Sequence, residues 1–488
     1  VRFLARWIIP TAAVALAPFA AAQVQPGNEV LAANHFRELR GKRVGLITNP
    51  SGVNRAGDST INLLRGAPGV NLAALFGPEH GVTGDAKAGD SVADRTDKRT
   101  GLPVHSLYGA TRKPTPAMLR GLDAVVYDLQ DTGVRSYTFI STMGLAMEAC
   151  AENGVEFIVL DRPNPLGGLR VEGPLVEEKF RSFVGRWDIP YVYGLTCGEL
   201  ARMINGEGWI SKPCRLQVVP MKGWQRDMVW RDTGLPWVAS SPNIPRADSP
   251  LYYASTGWFG EIAGGSGISI GTRFQKPFEI VAAPWLDRAK LSSAMNAYRL
   301  PGVRFPEFQT TYEDRRYEGV RLDFVDPARA PLVVINLCFV EAIRAIAGRS
   351  LLTEAVRTGR DFQMLDKIAG SDATRIALRA GQSATEIARS WRIGEDAFRN
   401  MRRKYLLYPE SVATNTTRTP VTQPSATRAN PAPVRNQPKY VVITVSKGDT
   451  INRIARDFGV TVSDIADANY GTNILNPKVG QKLRIPRP

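Results

Sequence analysis

Glu79 and His80 stand side by side in Phe76-Gly77-Pro78-Glu79-His80-Gly81, directly after the apolar run Leu72-Ala73-Ala74-Leu75-Phe76. A carboxyl group next to an imidazole is equipment for general acid–base catalysis, in which one group moves a proton and the other orients it or holds the reactant. Apolar neighbours can raise the pKa of such a carboxyl and keep it protonated near neutrality. The run 72–76 reads as a strand covered on both faces, since its residues do not alternate. Gly77 and Pro78 end it, and Gly81 permits a sharp turn or a close approach to a ligand. The pair therefore falls at the carboxyl end of a strand, where open α/β sheets keep their ligands. The plain alternative is a turn-capping glutamate beside a surface histidine.

The elements that must position this pair repeat one layout. An apolar run at 43–48 ends in Asn49 and Ser51, one at 124–127 in Asp128, Gln130 and Asp131, and one at 155–160 in Asp161, Arg162 and Asn164. Further strands are predicted at 104–107 and 216–220, with helices at 58–64, 141–153 and 196–204. Strands alternating with helices imply right-handed βαβ units and a mostly parallel sheet. In such a sheet the polar clusters lie along one edge and converge on one crevice, which favours a working role for Glu79.

The whole chain sets outer bounds. It has 488 residues and a net charge of +16, room for two or three domains. No basic run with interleaved aromatics and no nucleic-acid module accompanies the charge, so an acidic polymer is the better partner than nucleic acid. Residues 1–22 read as a secretory signal: Arg2 and Arg6, a short apolar stretch, then Ala20-Ala21-Ala22. The stretch is too short for a comfortable membrane span. An exported protein, periplasmic or extracellular and without stable membrane insertion after cleavage, is expected. Cys150, Cys197, Cys214 and Cys338 permit one or two disulfides or none, and neither they nor the three histidines have metal-site spacing.

Residues 182–285 are rich in loops and aromatics, among them Trp187, Tyr191, Tyr193, Trp209, Trp224, Trp230, Trp237, Tyr252, Tyr253, Trp258 and Trp285. Rings among polar loops suit sugar faces, and equally suit ordinary packing. Gly265-x-Gly267 lacks the Gly-Lys-Ser/Thr of a phosphate loop. Residues 286–408 read as a smaller α+β domain, with a strand at 332–339 and helices at 351–358, 371–380, 384–391 and 395–405. Residues 409–438 are a Pro/Thr/Ala/Asn-rich linker without enough apolar surface to fold. Residues 439–488 read as a compact β-α-α-β unit.

That last unit resembles a LysM module through Gly448-Asp449-Thr450, Ile454-Ala455, Asn469 and Val479-Gly480-Gln481-Lys482-Leu483-Arg484-Ile485-Pro486. The resemblance implies a module binding N-acetylglucosamine-containing glycans, peptidoglycan above all, with Gly448, Asp449, Thr450, Ile474, Leu475 and Asn476 at its sugar groove. Residues from about 30 to 408 resemble the NamZ-type exo-β-N-acetylmuramidase family. The carrying motifs are Gly45-Leu46-Ile47-Thr48-Asn49-Pro50-Ser51-Gly52, Phe76-Gly77-Pro78-Glu79-His80-Gly81 and Asp128-Leu129-Gln130-Asp131-Thr132-Gly133-Val134-Arg135-Ser136-Tyr137-Thr138. Asp161-Arg162-Pro163-Asn164-Pro165, Val171-Glu172-Gly173-Pro174, Ser241-Pro242-Asn243 and Lys404-Tyr405-Leu406-Leu407-Tyr408 complete them.

This resemblance implies a Rossmann-like catalytic domain over 23–285, an auxiliary domain over 286–408, and release of N-acetylmuramic acid from the non-reducing end of peptidoglycan and muropeptide glycans. It implies no cofactor. Glycoside hydrolysis needs a proton donor and, in most families, a second carboxylate. Glu79 is the expected acid, with His80 orienting it or contacting the sugar. Asp128, Asp131 or Glu172 would be the second carboxylate, unless the substrate's N-acetyl group takes that part. Arg135 or Arg162 would meet the lactyl carboxylate, or else pair with a nearby aspartate. Asn49, Ser51, Gln130, Tyr137, Asp161, Asn164 and Asn243 complete the expected substrate contacts. The competing readings are another wall hydrolase, against which the missing zinc set and Gly-x-Ser-x-Gly elbow speak, and a non-catalytic wall-binding protein.

Overall fold

The computed structural model describes residues 24–84, 86, 94–348, 350–352, 362–409, 440–445 and 479–486, with 451, 454, 455, 458, 460, 465 and 469. The signal read at 1–22, the linker beyond its first residue and the six LysM groove positions lie outside the described residues.

A seven-stranded sheet forms the first part of the fold. Its strands are β1 (Arg43–Thr48), β2 (Asn71–Gly77), β3 (Arg95–Thr96), β4 (Pro103–Ser106), β5 (Ala124–Asp128), β6 (Glu156–Leu160) and β7 (Leu216–Val219). Their order is β3-β4-β2-β1-β5-β6-β7, and every pair is parallel except β3 with β4. The chain builds outward from β1 on one side, then returns to lay β5 on its other side. That return makes the carboxyl ends of β1 and β5 the topological switch point.

Both faces of the sheet are covered, and successive residues go to opposite sides. Val125, Tyr127, Phe157 and Val159 pack with α3 (Pro116–Leu119), α4 (Phe139–Asn153) and α5 (Cys197–Gly206). Ala124, Val126, Ile158 and Leu160 pack with α1 (Gly27–Ala33) and α2 (Thr60–Arg65). Thr196 starts α5 with a capping box completed by Glu199.

A second core joins α6 (Ser249–Ala263), β8 (Ile280–Ala283), α7 (Arg288–Ala297), β11 (Arg315–Arg321) and α8 (Leu332–Ala347). Here β11 pairs antiparallel with β8 and with β10 (Glu307–Tyr312), while β9 (Val303–Arg304) pairs with β12 (Asp323–Phe324). The strand expected at 332–339 is instead the first half of α8. Nearly every residue of that half is buried, and an apolar run covered on all sides carries no period that separates helix from strand. The helices expected at 384–391 and 395–405 are one continuous helix, Ala384–Arg402. Most of the loop aromatics are core: Trp187, Tyr191, Tyr193, Trp224, Trp230 and Trp258 are buried. All four cysteines are buried free thiols.

In the terminal module, β13 (Tyr440–Thr444) pairs antiparallel with β14 (Lys482–Pro486). The buried Asn469 amide binds the backbone of Ile465 and both backbone groups of Arg484, which fixes the second strand against the core of Ile451, Ile454, Ile465, Leu483 and Ile485. No described helix is long and apolar enough to cross a membrane.

Arg135 ties the two cores. Its fully buried guanidinium donates to the carbonyls of Pro174 and Ile189, each at 2.6 Å, and Ile368 at 2.7 Å. Burial lowers its pKa to about 10. Replacing it would leave three carbonyls, that of Ile189 buried and the other two partly so, short of donors. The Arg135→Met variant is expected to lose about 3–5 kcal/mol of stability in urea unfolding followed by tryptophan fluorescence. A loss below about 1 kcal/mol would contradict that tie.

Candidate active site

The strand register sets the level of every candidate group. Thr48 lies opposite Asp128, Ile47 opposite Phe76, and Gly77 opposite Ser106. The ends of β1, β2, β4 and β5 are therefore flush. Glu79 and Tyr108 each stand two residues past the Gly77–Ser106 pair. Leu107 N–H continues the ladder to the Gly77 carbonyl at 2.8 Å. This common offset brings the Tyr108 hydroxyl onto the Glu79 carboxylate. Burial first, and then the carboxylate's charge and hydrogen bond, push the phenol up to about 12, so it stays a donor.

Thr138 supplies a second donor, Oγ1 to Glu79 Oε2 at 2.6 Å. Thr138 occupies the N-cap of α4, yet its hydroxyl makes no cap bond to its own helix. The hydroxyl serves Glu79 instead, and the half-buried carboxyl sits at the positive end of a helix of 15 residues. Tyr137 and Tyr253 stand in the field of the same carboxylate. Tyr137 donates to Ser240 Oγ at 2.8 Å, and the Tyr253 hydroxyl lies 2.8 Å from Ser136 Oγ. The walls around Glu79 are thus hydroxyls and rings rather than aliphatic side chains.

His80 is buried and holds a left-handed backbone, φ 71°, a conformation that costs a residue with a side chain and gathers at functional sites. Its Nδ1 lies 2.8 Å from the Ala86 carbonyl. A carbonyl only accepts, so Nδ1 carries the proton and Nε2 of the neutral ring is the acceptor.

The ends of β5 and β6 are closed by other parts of the chain. Gly27 N–H binds the Asp161 carbonyl at 2.8 Å. A Cβ at Gly27 would meet Asp161 N at 2.4 Å, so only glycine brings α1 this close. Asp128 is fully buried and takes a two-pronged contact from Arg162, Nε to Oδ1 at 2.5 Å and Nη2 to Oδ2 at 3.0 Å. Thr60 Oγ1 adds a bond at 2.5 Å and Asn28 one at 3.4 Å. Arg162 Nη2 also donates to the Val53 carbonyl at 2.8 Å. Asp128 and Arg162 are therefore partners of each other, not of a substrate.

Most other expected contacts are likewise internal. Asn49 Oδ1 accepts from Ser51, and its amide donates to the Ser240 carbonyl, so it holds the 240 loop over the crevice. Ser51 Oγ accepts from Gln130 N–H, and Gln130 donates to the Asp131 and Pro163 carbonyls. Asp161 accepts from Thr196, Gly198 and Tyr408. Asn164 bridges Leu195 and Leu166. Glu172 pairs with Arg170 and accepts from Val333 N–H, at the seam with the second core. Arg135 is the tie described above. Asn243 is half-buried beside Ser241.

Asp131 is the most unusual carboxylate. Its Oδ2 accepts from Gly133 N–H at 2.7 Å and from the Tyr193 hydroxyl, whereas its buried Oδ1 has no hydrogen-bond partner among the described residues. Burial lifts its pKa to about 6 against the Tyr193 hydroxyl and the Gly133 and Thr132 amides. Burial likewise holds Asp161 at about 6 and Glu395 at about 7.

Tyr108, Thr138, Ser136 and Ser240 are not among the site residues expected from sequence, and Tyr253 stands there only as one of the loop aromatics. Only Tyr108 left a usable signal, the same offset from its strand end as Glu79. A cavity of about 610 Å³ lies apart, between the two cores, lined by Arg170, Glu172, Val333, Arg389, Trp391 and Glu395 among others. Glu79 does not line it.

The match to known proteins covers both cores and the terminal module. Residues 44–248 fit the family profile described as exo-beta-N-acetylmuramidase NamZ, N-terminal, and 251–408 its C-terminal counterpart. Residues 443–486 fit a LysM domain. A Bacillus subtilis (strain 168) protein named peptidoglycan beta-N-acetylmuramidase NamZ is 42% identical over 391 residues, 79% of this chain and 92% of that protein. Two solved DUF1343 family proteins of Bacteroides fragilis NCTC 9343 share the fold. One is 46% identical with a TM-score of 0.73, covering 79% of this chain and 99% of that one. The other is 27% identical with a TM-score of 0.60, covering 80% and 100%.

The raised pKa of Asp131 has a stability consequence. Between about 4 and 6 the folded chain keeps a proton that the unfolded chain has released, so the stabilising contribution is complete below that window and is lost as pH rises through it. Asp131→Asn removes this term. The stability of the variant relative to the parent is expected to rise from pH 4 to pH 7 in urea unfolding. A difference that is flat in pH would contradict the assignment.

Proposed function

The chain belongs to the NamZ exo-β-N-acetylmuramidase family, and on that premise we propose that it releases N-acetylmuramic acid from the non-reducing end of peptidoglycan fragments, with Glu79 as its acid. It is a glycoside hydrolase of the cell wall, and its LysM domain associates it with peptidoglycan. The observation that carries the site is the setting of Glu79: flush strand ends, a helix N-terminus, and two hydroxyl donors that fix the carboxyl without burying it fully. Export guided by residues 1–22 and a part in wall turnover belong to the same reading, as do Gly448, Asp449, Thr450, Ile474, Leu475 and Asn476 as the glycan-binding groove.

The three candidates for a second carboxylate are all engaged inside the fold. Asp128 is held by Arg162, Asp131 by Tyr193 and Gly133, and Glu172 by Arg170 and Val333. This favours assistance by the substrate's own acetamido group, a known route for 2-acetamido sugars. In its protonated form Glu79 gives its proton to the glycosidic oxygen as the C1–O bond breaks, and the Tyr108 and Thr138 hydroxyls and the start of α4 stabilise the carboxylate that this leaves. The acetamido oxygen closes on C1 from the opposite face. Glu79, now a carboxylate, then takes a proton from the water that attacks C1 and reopens that ring. His80 Nε2 accepts a hydrogen bond from the sugar and is a positioning group.

The test is product analysis on N-acetylmuramyl-β-1,4-N-acetylglucosamine by mass spectrometry. The parent should release free N-acetylmuramic acid, and Glu79→Gln should lower kcat by about 10²–10⁴-fold while still binding the disaccharide. Release at equal rates by both would move the acid elsewhere. Release by neither would overturn the substrate assignment.

A further inference from the structure

Arg112 is an exposed arginine beside the crevice, and among the described residues its guanidinium makes no hydrogen bond or ion pair. It lies instead against two rings, 4.6 Å from the Phe183 centroid and 5.8 Å from the Tyr108 centroid. These rings are themselves in contact, with centroids 5.8 Å apart. Tyr108 is the residue whose hydroxyl meets Glu79, so the cation is one aromatic ring removed from the proposed acid.

The segment that carries it is pinned on both sides. Ser106 Oγ binds the Tyr108 backbone through both its amide and its carbonyl. Lys113 pairs with Glu148 and Glu152 on α4. The stacking leaves the edge of the guanidinium, where its N–H groups point, available to a planar oxyanion. Arg135 and Arg162, the arginines that the sequence offered for a carboxylate, are buried, Arg135 with both Nη groups on carbonyls and Arg162 with its Nε–Nη2 edge on Asp128.

We propose that Arg112 is the specificity residue that reads the 3-O-lactyl carboxylate of N-acetylmuramic acid. The inference rests on the muramidase reading above. The lactyl group is carried on C3, next but one to the anomeric carbon at which Glu79 acts. A cation on the rim and an acid in the crevice, joined by Tyr108, match that layout. Arg112 and Phe183 thereby separate muramic acid from N-acetylglucosamine, which has a hydroxyl at C3 and nothing for the fork to hold.

The test uses the full chain and two disaccharides, the lactyl acid and its methyl ester. Arg112→Gln should lower kcat/KM on the acid by about 10- to 100-fold, the range of a charge-assisted hydrogen bond. The parent should lose a similar factor on the ester, and parent and variant should converge there, since the two changes remove one interaction. An equal effect of Arg112→Gln on both substrates would overturn the proposal and leave a general packing role. Calorimetric binding of free N-acetylmuramic acid and of N-acetylglucosamine provides a reading independent of turnover. A preference for muramic acid that is lost in Arg112→Gln would support the proposal even if the disaccharide were not cleaved, a result that would sink the activity alone. A preference unchanged in the variant would overturn it.

Discussion

A carboxylate taken out of water has to be paired or protonated, and this constraint sorts the polar edge of the sheet into structure and chemistry. Asp128 meets it with the Arg162 fork and Thr60, Asp161 with Thr196, Gly198 and Tyr408, and Asp131 with a raised pKa. The Asp128–Arg162 pair does more than satisfy itself. It links the ends of β5 and β6 to the 53 loop and to the start of α2, so the switch point is closed rather than open. Removing one member of a buried pair typically costs about 3–5 kcal/mol, because the other charge is stranded. Among the described strand-end carboxyls, Glu79 on the β2–β4 side is the half-buried one, with water still in reach.

Much of this was legible in the sequence, and the parts that were not have physical reasons. The apolar runs of β1, β2, β5 and β6, and the polar groups at their ends, follow from strand burial and from the turn residues that stop them. Glu79 was visible because its strand, its Gly-Pro stop and its neighbour His80 are all local. The partnership of Asp128 with Arg162 spans 34 residues and that with Asn28 spans 100. No periodicity reports a pairing of that kind. Residues 24–36 gave no strong element signal, yet α1 closes the crevice over β6. The run 332–339 failed for the opposite reason: its signal was strong and ambiguous, since a helix buried on all sides and a covered strand share one composition.

The catalytic part and the wall-binding part solve different problems with similar means. In the sheet, flush strand ends and a forgone helix cap fix one carboxyl. In the LysM domain, one buried amide, Asn469, fixes β14 and hence the small core. The basic excess of the chain is consistent with an acidic wall polymer as the shared partner.

In the proposed mechanism one protein carboxylate suffices, because the substrate's acetamido oxygen takes the place of a nucleophilic second carboxylate. Proton NMR on the disaccharide, recorded within the first minutes of cleavage, reads the anomer of the N-acetylmuramic acid first released. Two displacements at C1, by the acetamido oxygen and then by water, predict the β-anomer ahead of mutarotation. An initial α-anomer would mean a single direct attack by water activated by a second protein base, and would contradict the mechanism.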